Sequence, residues 1–152
     1  MLNTFFGADL FRTFVLYWFT MNKEEHIQYW LISAEKDWSV VQDLLQSNQY
    51  AYSLFFSHLT LEKLLKGHWV KSNDGNYPPR THSLVRIAEG ISYKFDEQDL
   101  VFLERMNDFQ LEGRYPDYQF KIYQICTREF TTQILNKVKT IRVCLLESLQ
   151  SV

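Results

Sequence analysis

The chain has 152 residues, the usual length of one domain and enough to bury a full hydrophobic core. Hydrophobic residues make up 46% of it and aromatic residues 16%, which excludes a disordered chain. A net charge of −2 gives no overall attraction to nucleic acid or to a membrane surface, and it leaves room for a local basic patch.

Residues 1–20 are rich in phenylalanine, and two interpretations of them stay open. They lack the features of a signal peptide, and Phe14–Phe19 is far shorter than the roughly 20 residues of a membrane span. They are either an interfacial or partner-binding helix, such as a dimer arm, or an upstream extension of a reading frame that starts at Met21. We therefore divide the chain into an N-terminal extension, 1–21, and one domain, 22–152.

Two long helices follow the extension. Residues 22–46 carry apolar side chains at helical spacing, and residues 50–71 form the most apolar helical segment of the chain. The link between them is so short that we expect an antiparallel hairpin. We expect the second helix to be central and in contact with neighbours on several sides. The face opposite its apolar arc is small and polar and is the side expected to be exposed, namely Ser53, Ser57, Thr60, Gly67 and Lys71.

His58, Glu62 and Lys66 are spaced i, i+4, i+8 and form one polar line inside the apolar arc of the second helix. Burying such groups unpaired costs several kcal/mol, to order of magnitude, so they need partners or water. In a site they would act as base, orienting group and cation. In a purely structural role, Glu62 bridges its two neighbours or caps a loop.

The second half of the chain predicts three further helices. Residues 72–80 form a loop that is rich in turn-forming residues, and Thr81 or Ser83 can cap a short third helix after it. A fourth helix starts at Asp96 and stops near Gly113, and the last runs from about Cys126 or Thr127 to Leu149. The predicted fold is all-α, an up-and-down four-helix bundle with one additional short helix.

The corner at residues 114–118 is a second candidate site. Arg114 offers a planar fork for phosphate or carboxylate, and Tyr115 and Tyr118 offer flat faces for bases. Asp117 can cap the next segment of the chain or pair with Arg114, and a plain structural corner is the alternative. His82, just before the short helix, is a site candidate or a capping and packing residue.

The sequence lacks the P-loop, GxGxxG, HExxH and GxSxG motifs, and it has no ExxH pair for a di-metal bundle. Cys126 and Cys144 lack zinc or redox spacing, and one helix through both would hold them about 27 Å apart. We expect no metal, no cofactor and two free thiols, which is typical of the cytoplasm.

Three segments together resemble the HEPN domain family (higher eukaryotes and prokaryotes nucleotide-binding). Residues 62–66 read EKLLK, residues 82–84 read HSL and residues 114–117 read RYPD, in the order of a small prokaryotic branch of that family. The resemblance covers about residues 22–150. It implies a homodimer, often encoded beside a minimal nucleotidyltransferase as a toxin–antitoxin-like pair.

Many members of this family are metal-independent ribonucleases with Arg, four to six residues, then His. Here Arg114 is followed by YPDYQFK without a histidine. The resemblance therefore favours a nucleotide-, RNA- or partner-binding homodimer without membrane contact. Its ligand residues would be Arg114, Tyr115, Asp117, Tyr118 and Lys66, supported by His58, Glu62 and His82.

Two alternatives remain. One is a ribonuclease in which His58 or His82 acts with Arg114 in place of the absent motif histidine, because cleavage needs a base for the 2′-hydroxyl. The other is a purely structural partner subunit.

Overall fold

The structure is a computed structural model that describes residues 12–13, 15–16 and 20–150. Between Met21 and Gln150 it contains six helices, and no β-strand occurs among the described residues. They are α1 (Lys23–Gln46), α2 (Tyr50–Ser72), α3 (Leu84–Ala88), α4 (Glu97–Arg114), α5 (Lys121–Ile125) and α6 (Arg128–Gln150). The all-α prediction is confirmed, with one difference: there are two short helices, because α5 lies between the corner and the last helix, where no helix was predicted.

Most of residues 1–20 lie outside the described part of the chain, including much of the apolar run Phe14–Phe19. Both interpretations of the extension therefore stay predictions. No helix among the described residues is long and apolar enough to cross a membrane.

Helix α1 begins at a capping box. The side chain of Asn22 accepts a hydrogen bond from the backbone N–H of Glu25, and the Glu25 carboxylate accepts one from the backbone N–H of Asn22. The helix ends at Gln46 with Ser47 as its C-cap, and Asn48 then takes a left-handed conformation with φ of 63°, which asparagine tolerates better than most residues. This turn lets the chain reverse within three residues.

Helix α2 is the centre of the molecule, since it packs against α1, α3, α4, α5 and α6. Its start lies beside the end of α1, where Ser53 Oγ donates to the Val41 carbonyl at 2.9 Å. Its end lies beside the start of α1, where Lys23 Nζ donates to the Asn73 carbonyl at 2.6 Å. The two helices therefore run in opposite directions, as the short link predicted.

The prediction of an exposed face on α2 is wrong. Ser53, Ser57 and Thr60 are fully buried, Gly67 is buried as well, and only Lys71 of that set is exposed. The three hydroxyls donate to backbone carbonyls, so their burial leaves no unpaired donor. The periodicity of the sequence misled here because a helix that is enclosed on all sides has no solvent-exposed face. The small side chains on this face of α2 allow α1 to approach closely.

The remaining helix boundaries agree with the sequence to within about two residues, the usual uncertainty of helix ends. Ser83 caps α3, and the Asp96 carboxylate caps α4 through the Asp99 N–H at 2.7 Å. Helix α6 buries one apolar stripe against the core: Ile134, Leu135, Val138, Ile141 and Leu145. Both cysteines are free.

Candidate functional site

A buried carboxylate organises the polar groups of α2. Glu62 Oε1 accepts a hydrogen bond from Lys66 Nζ at 2.6 Å, and Oε2 accepts one from His82 Nδ1 at 3.0 Å. Burial raises the pKa of this carboxyl, but the hydrogen bonds from Lys66 and His82 outweigh burial and leave the pKa below its usual value. Glu62 is therefore ionised at neutral pH and ties α2 to the loop before α3.

His58 is an internal link between that loop and α4. Its ring is fully buried, and Nε2 lies 3.0 Å from the His82 carbonyl oxygen and 3.4 Å from Asn107 Oδ1. Because a carbonyl only accepts, Nε2 carries the hydrogen and Nδ1 carries the lone pair, 3.9 Å from Glu62 Oε2. Burial lowers the pKa of His58 although Glu62 opposes it, so the ring is neutral and shielded from solvent.

His82 is the exposed member of the group. Its side chain is 55% accessible, its Nδ1 donates to Glu62 and its main-chain carbonyl accepts from His58. The hydrogen bond to the carboxylate engages Nδ1, and Nε2 has no partner among the described residues. The residue is thus held at two points while one ring nitrogen stays open to a ligand.

We call His58, Glu62, Lys66 and His82 the Glu62 cluster. Lys66 is mostly buried, with its Nζ 5.4 Å from the centre of the Trp30 ring as well as on Glu62. To bind a phosphate, Lys66 would have to release Glu62. The neighbouring Lys63 pairs with Asp37 of α1 at 2.6 Å, so both charges of the EK segment connect α2 to other parts of the fold.

Sequence reasoning missed Asn107 of α4. Its Oδ1 accepts from the Leu84 N–H at 3.1 Å and lies within 3.4 Å of His58 Nε2, while its Nδ2 donates to Glu104. Asn107 thereby joins α4 to the start of α3 and to the Glu62 cluster. A lone asparagine within a helix carries no signal in the sequence that would separate it from a surface residue.

Arg114 is the last residue of α4, and its side chain is exposed to solvent. Its guanidinium carbon lies 5.7 Å from the centre of the Phe55 ring, and no hydrogen bond or ion pair engages it among the described residues. Tyr115 is 74% exposed and Tyr118 is 87% exposed. The five N–H donors of the guanidinium are therefore available to an anion beside two open aromatic rings.

Asp117 caps α5 instead of pairing with Arg114. Its Oδ1 accepts from the Lys121 N–H at 3.0 Å, and its Oδ2 lies 3.8 Å from Lys121 Nζ. Asp117 thus interacts with Lys121, and Arg114 has no acidic partner among the residues that the structure describes. Arg114 follows Asn107 by seven residues, or about 10 Å along α4, so the corner and the Glu62 cluster lie on the same side of α2 without a described contact between them.

The sequence profile of the HEPN domain matches residues 27–149, which span nearly all of α1 to α6. The chain belongs to the HEPN domain family. This confirms the resemblance carried by the EKLLK, HSL and RYPD segments. Comparisons of the HEPN chain with curated proteins and with solved structures return no match.

The described residues of this HEPN domain contain no group of three His, Cys, Asp or Glu side chains placed to hold a metal ion. The geometry separates two kinds of candidate residue. The Glu62 cluster is an internal connection with one exposed imidazole, and the corner at 114–118 is an exposed cation with aromatic neighbours.

Proposed function

We propose that this HEPN domain binds a nucleotide or RNA, with Arg114 as the phosphate contact and Tyr115 and Tyr118 beside it. One observation carries the proposal: the Arg114 guanidinium lies exposed over Phe55 and has no acidic partner among the described residues. An arginine used only to close a corner would bond to helix-end carbonyls or to Asp117. The Glu62 cluster supports the corner by fixing α4 to α2 through His58 and Asn107.

Binding of labelled RNA and of nucleotides to an Arg114→Ala variant tests the proposal. Loss of a phosphate contact should weaken binding and lower the slope of log K against log salt by about one. Arg86→Ala, which removes an exposed arginine of α3, is the matched control. Equal affinity of wild type and Arg114→Ala would favour the purely structural partner subunit.

A second candidate, a metal-independent ribonuclease, is favoured by the hydrogen bond between His82 and Glu62. His82 Nε2 would take the proton of a 2′-hydroxyl, and the 2′-oxygen would bond to phosphorus. The bond to the 5′-oxygen would break, with water protonating it, to leave a 2′,3′-cyclic phosphate. His58 fits this role poorly, because its ring is fully buried and its Nε2 is engaged by the His82 carbonyl.

Purified protein incubated with labelled RNA decides between the two functions. If the wild-type protein cleaves RNA and both His82→Ala and Arg114→Ala abolish the cleavage, the domain is a ribonuclease and not only a binding module. Intact RNA with wild-type protein would leave binding as the function.

The partner proposals rest on the family membership. We propose a homodimer that pairs with a minimal nucleotidyltransferase in a toxin–antitoxin-like system, with 22–152 as the dimerising domain and 1–21 as an extension. A monomer mass by light scattering at micromolar concentration would count against the homodimer, and failure to co-purify with a nucleotidyltransferase encoded next door would count against the pairing.

We also infer the up-and-down order of the four long helices. Helix α4 ends near the start of α2, since a Cβ atom on Gly113 would lie 3.0 Å from Phe55 Cβ. Helix α6 ends near the end of α2, since His68 Nε2 lies 2.9 Å from the Leu145 carbonyl oxygen. With α1 antiparallel to α2, these contacts support alternating directions.

A further inference from the structure

The segment from Tyr118 to Tyr123 exposes three aromatic rings, and a fourth lies beside it on α2. Tyr118, Phe120 and Tyr123 are 87%, 54% and 41% exposed, and Tyr52 of α2 is 41% exposed. The rings of Phe120 and Tyr123 are stacked, with centroids 5.9 Å apart, and the hydroxyls of Tyr52 and Tyr123 are 3.1 Å apart. Exposed rings in such a group mark a surface that contacts something else.

The backbone at one of these exposed residues is strained. Phe120 has φ of 52° and ψ of 36°, the left-handed conformation that a bulky residue rarely adopts. Strain of this kind persists where the surrounding structure imposes it, and it is frequent at binding sites.

A cleft of about 220 Å³ lies beside Tyr123, between the α1–α2 turn and α5. Its lining also includes Asn48, Tyr50 and Tyr52. Sites for drug-sized ligands hold roughly 300–1,000 Å³, so this volume suits a single ring system. Aromatic walls and amide groups together match the flat face and polar edge of a base. We call this cleft and the stacked rings of Phe120 and Tyr123 the aromatic cleft.

One cation lies at the aromatic cleft and a second lies one helical turn along α2. Arg128 Nη2 donates to Asn48 Oδ1 at 2.9 Å, which holds this exposed guanidinium at the cleft wall. Arg114 lies over Phe55, which is three residues and about one helical turn from Tyr52. Both guanidinium groups keep N–H donors without a described partner, and these suit phosphate oxygens.

We propose that the aromatic cleft stacks the bases of single-stranded RNA whose phosphates contact Arg114 and Arg128. This inference rests on the proposed function and names its ligand. RNA fits better than a second protein surface, because exposed tyrosine and phenylalanine rings lie between Arg114 and Arg128 in the chain, and neither arginine has a carboxylate partner among the described residues. Stacking on rings between backbone-binding cations is how proteins hold single strands without reading their sequence.

The test measures fluorescence anisotropy of a labelled uridine oligomer of about 12 nucleotides and of the same ribose-phosphate chain without bases. Tyr123→Ala and Phe120→Ala should each weaken binding of the oligomer by about fivefold or more, and leave the weaker binding of the base-free chain unchanged. Tyr123→Phe keeps the ring and should retain binding. Val101→Ala, an exposed apolar residue of α4, is the control, and thermal melting verifies that each variant is folded.

The outcomes separate this inference from the proposed function. If oligomer binding falls only with Arg114→Ala, the proposed stacking in the aromatic cleft is overturned and the proposed phosphate contact stands. Binding that falls with Tyr123→Ala and not with Arg114→Ala supports the cleft and overturns that phosphate contact. If the wild-type protein does not bind RNA, both the aromatic cleft and the phosphate contact are overturned. Unchanged RNA binding by Tyr123→Ala, with a dimer mass that drops to a monomer, overturns the inference and assigns the surface to a second copy of the chain.

Discussion

The exposed ring of His82 donates a hydrogen bond to the buried carboxylate of Glu62, 20 residues earlier in the chain. The same His82 accepts a hydrogen bond at its carbonyl oxygen from the buried ring of His58. These two contacts attach His82 to α2 through both its side chain and its backbone, and they thereby fix the loop before α3. They also leave one imidazole nitrogen facing solvent, which makes His82 the only histidine of the Glu62 cluster that a ligand can reach.

Removing the charge of Glu62 should destabilise the fold strongly. In Glu62→Gln, the mostly buried Lys66 loses its counter-charge, and the free energy of unfolding should fall by about 3 kcal/mol or more in urea denaturation. The double variant Glu62→Gln/Lys66→Met removes both charges and should be more stable than Glu62→Gln alone. Glu112→Gln, an exposed acid of α4, should be near neutral. A loss below about 1 kcal/mol would mean that water solvates Lys66.

Stability should fall as the pH drops from neutral toward about 5. Burial lowers the pKa of His58 and of His68, so below about pH 6.5 the unfolded chain binds protons that the folded chain does not. Each histidine contributes at most about 1.4 kcal/mol per pH unit. Glu62, whose pKa is also lowered, adds a loss in the same direction only below about pH 4.5.

The variant His58→Gln isolates one part of this pH dependence. Its amide can still donate to the His82 carbonyl, but it cannot take up a proton. We expect a shallower decline of unfolding free energy between about pH 7.5 and 5.5 than in the wild type. An identical slope in both proteins would show that His58 titrates alike in the folded and unfolded chains.

Alanine at Gly67 should stabilise the protein by about 0.5–1 kcal/mol, because glycine within a helix costs backbone entropy. The new methyl group would lie 3.5 Å from Trp30 Cβ, an ordinary contact distance. Gly113→Ala is the informative comparison, since its methyl group would lie 3.0 Å from Phe55 Cβ and force that ring to shift. We expect Gly113→Ala to gain less stability than Gly67→Ala, or to lose it, in parallel thermal melts.

At position 120, unlike position 67, glycine should give a more stable protein than alanine. Phe120→Gly and Phe120→Ala both remove the ring, but only glycine adopts the left-handed conformation without cost. Phe120→Gly should therefore be more stable than Phe120→Ala by about 1 kcal/mol. Equal stabilities would show that the backbone of the alanine variant relaxes to a negative φ.

The sequence predicted local features where one residue or one period suffices. The starts of α1 at Asn22 and of α4 at Asp96 were predicted from the chain, and in the structure both side chains bond to the first turn of their own helix. The sequence also placed Glu62 and Lys66 together, because i, i+4 residues meet on any helix. It failed for Ser53 and Thr60, which look like a wet face and lie buried, since enclosure on every side comes from the neighbouring helices.

The sequence by itself determined the all-α class, the family and the polar residues of α2, because helical periodicity and short motifs are local properties of the chain. Only the tertiary structure decided which of those residues face solvent. It buried His58 and left His82 open, engaged Asp117 with α5 and left Arg114 without an acid, and grouped Tyr52 with Tyr123 across 71 residues. Accessibility and long-range pairing depend on how whole helices pack, and no spacing along a single chain encodes them.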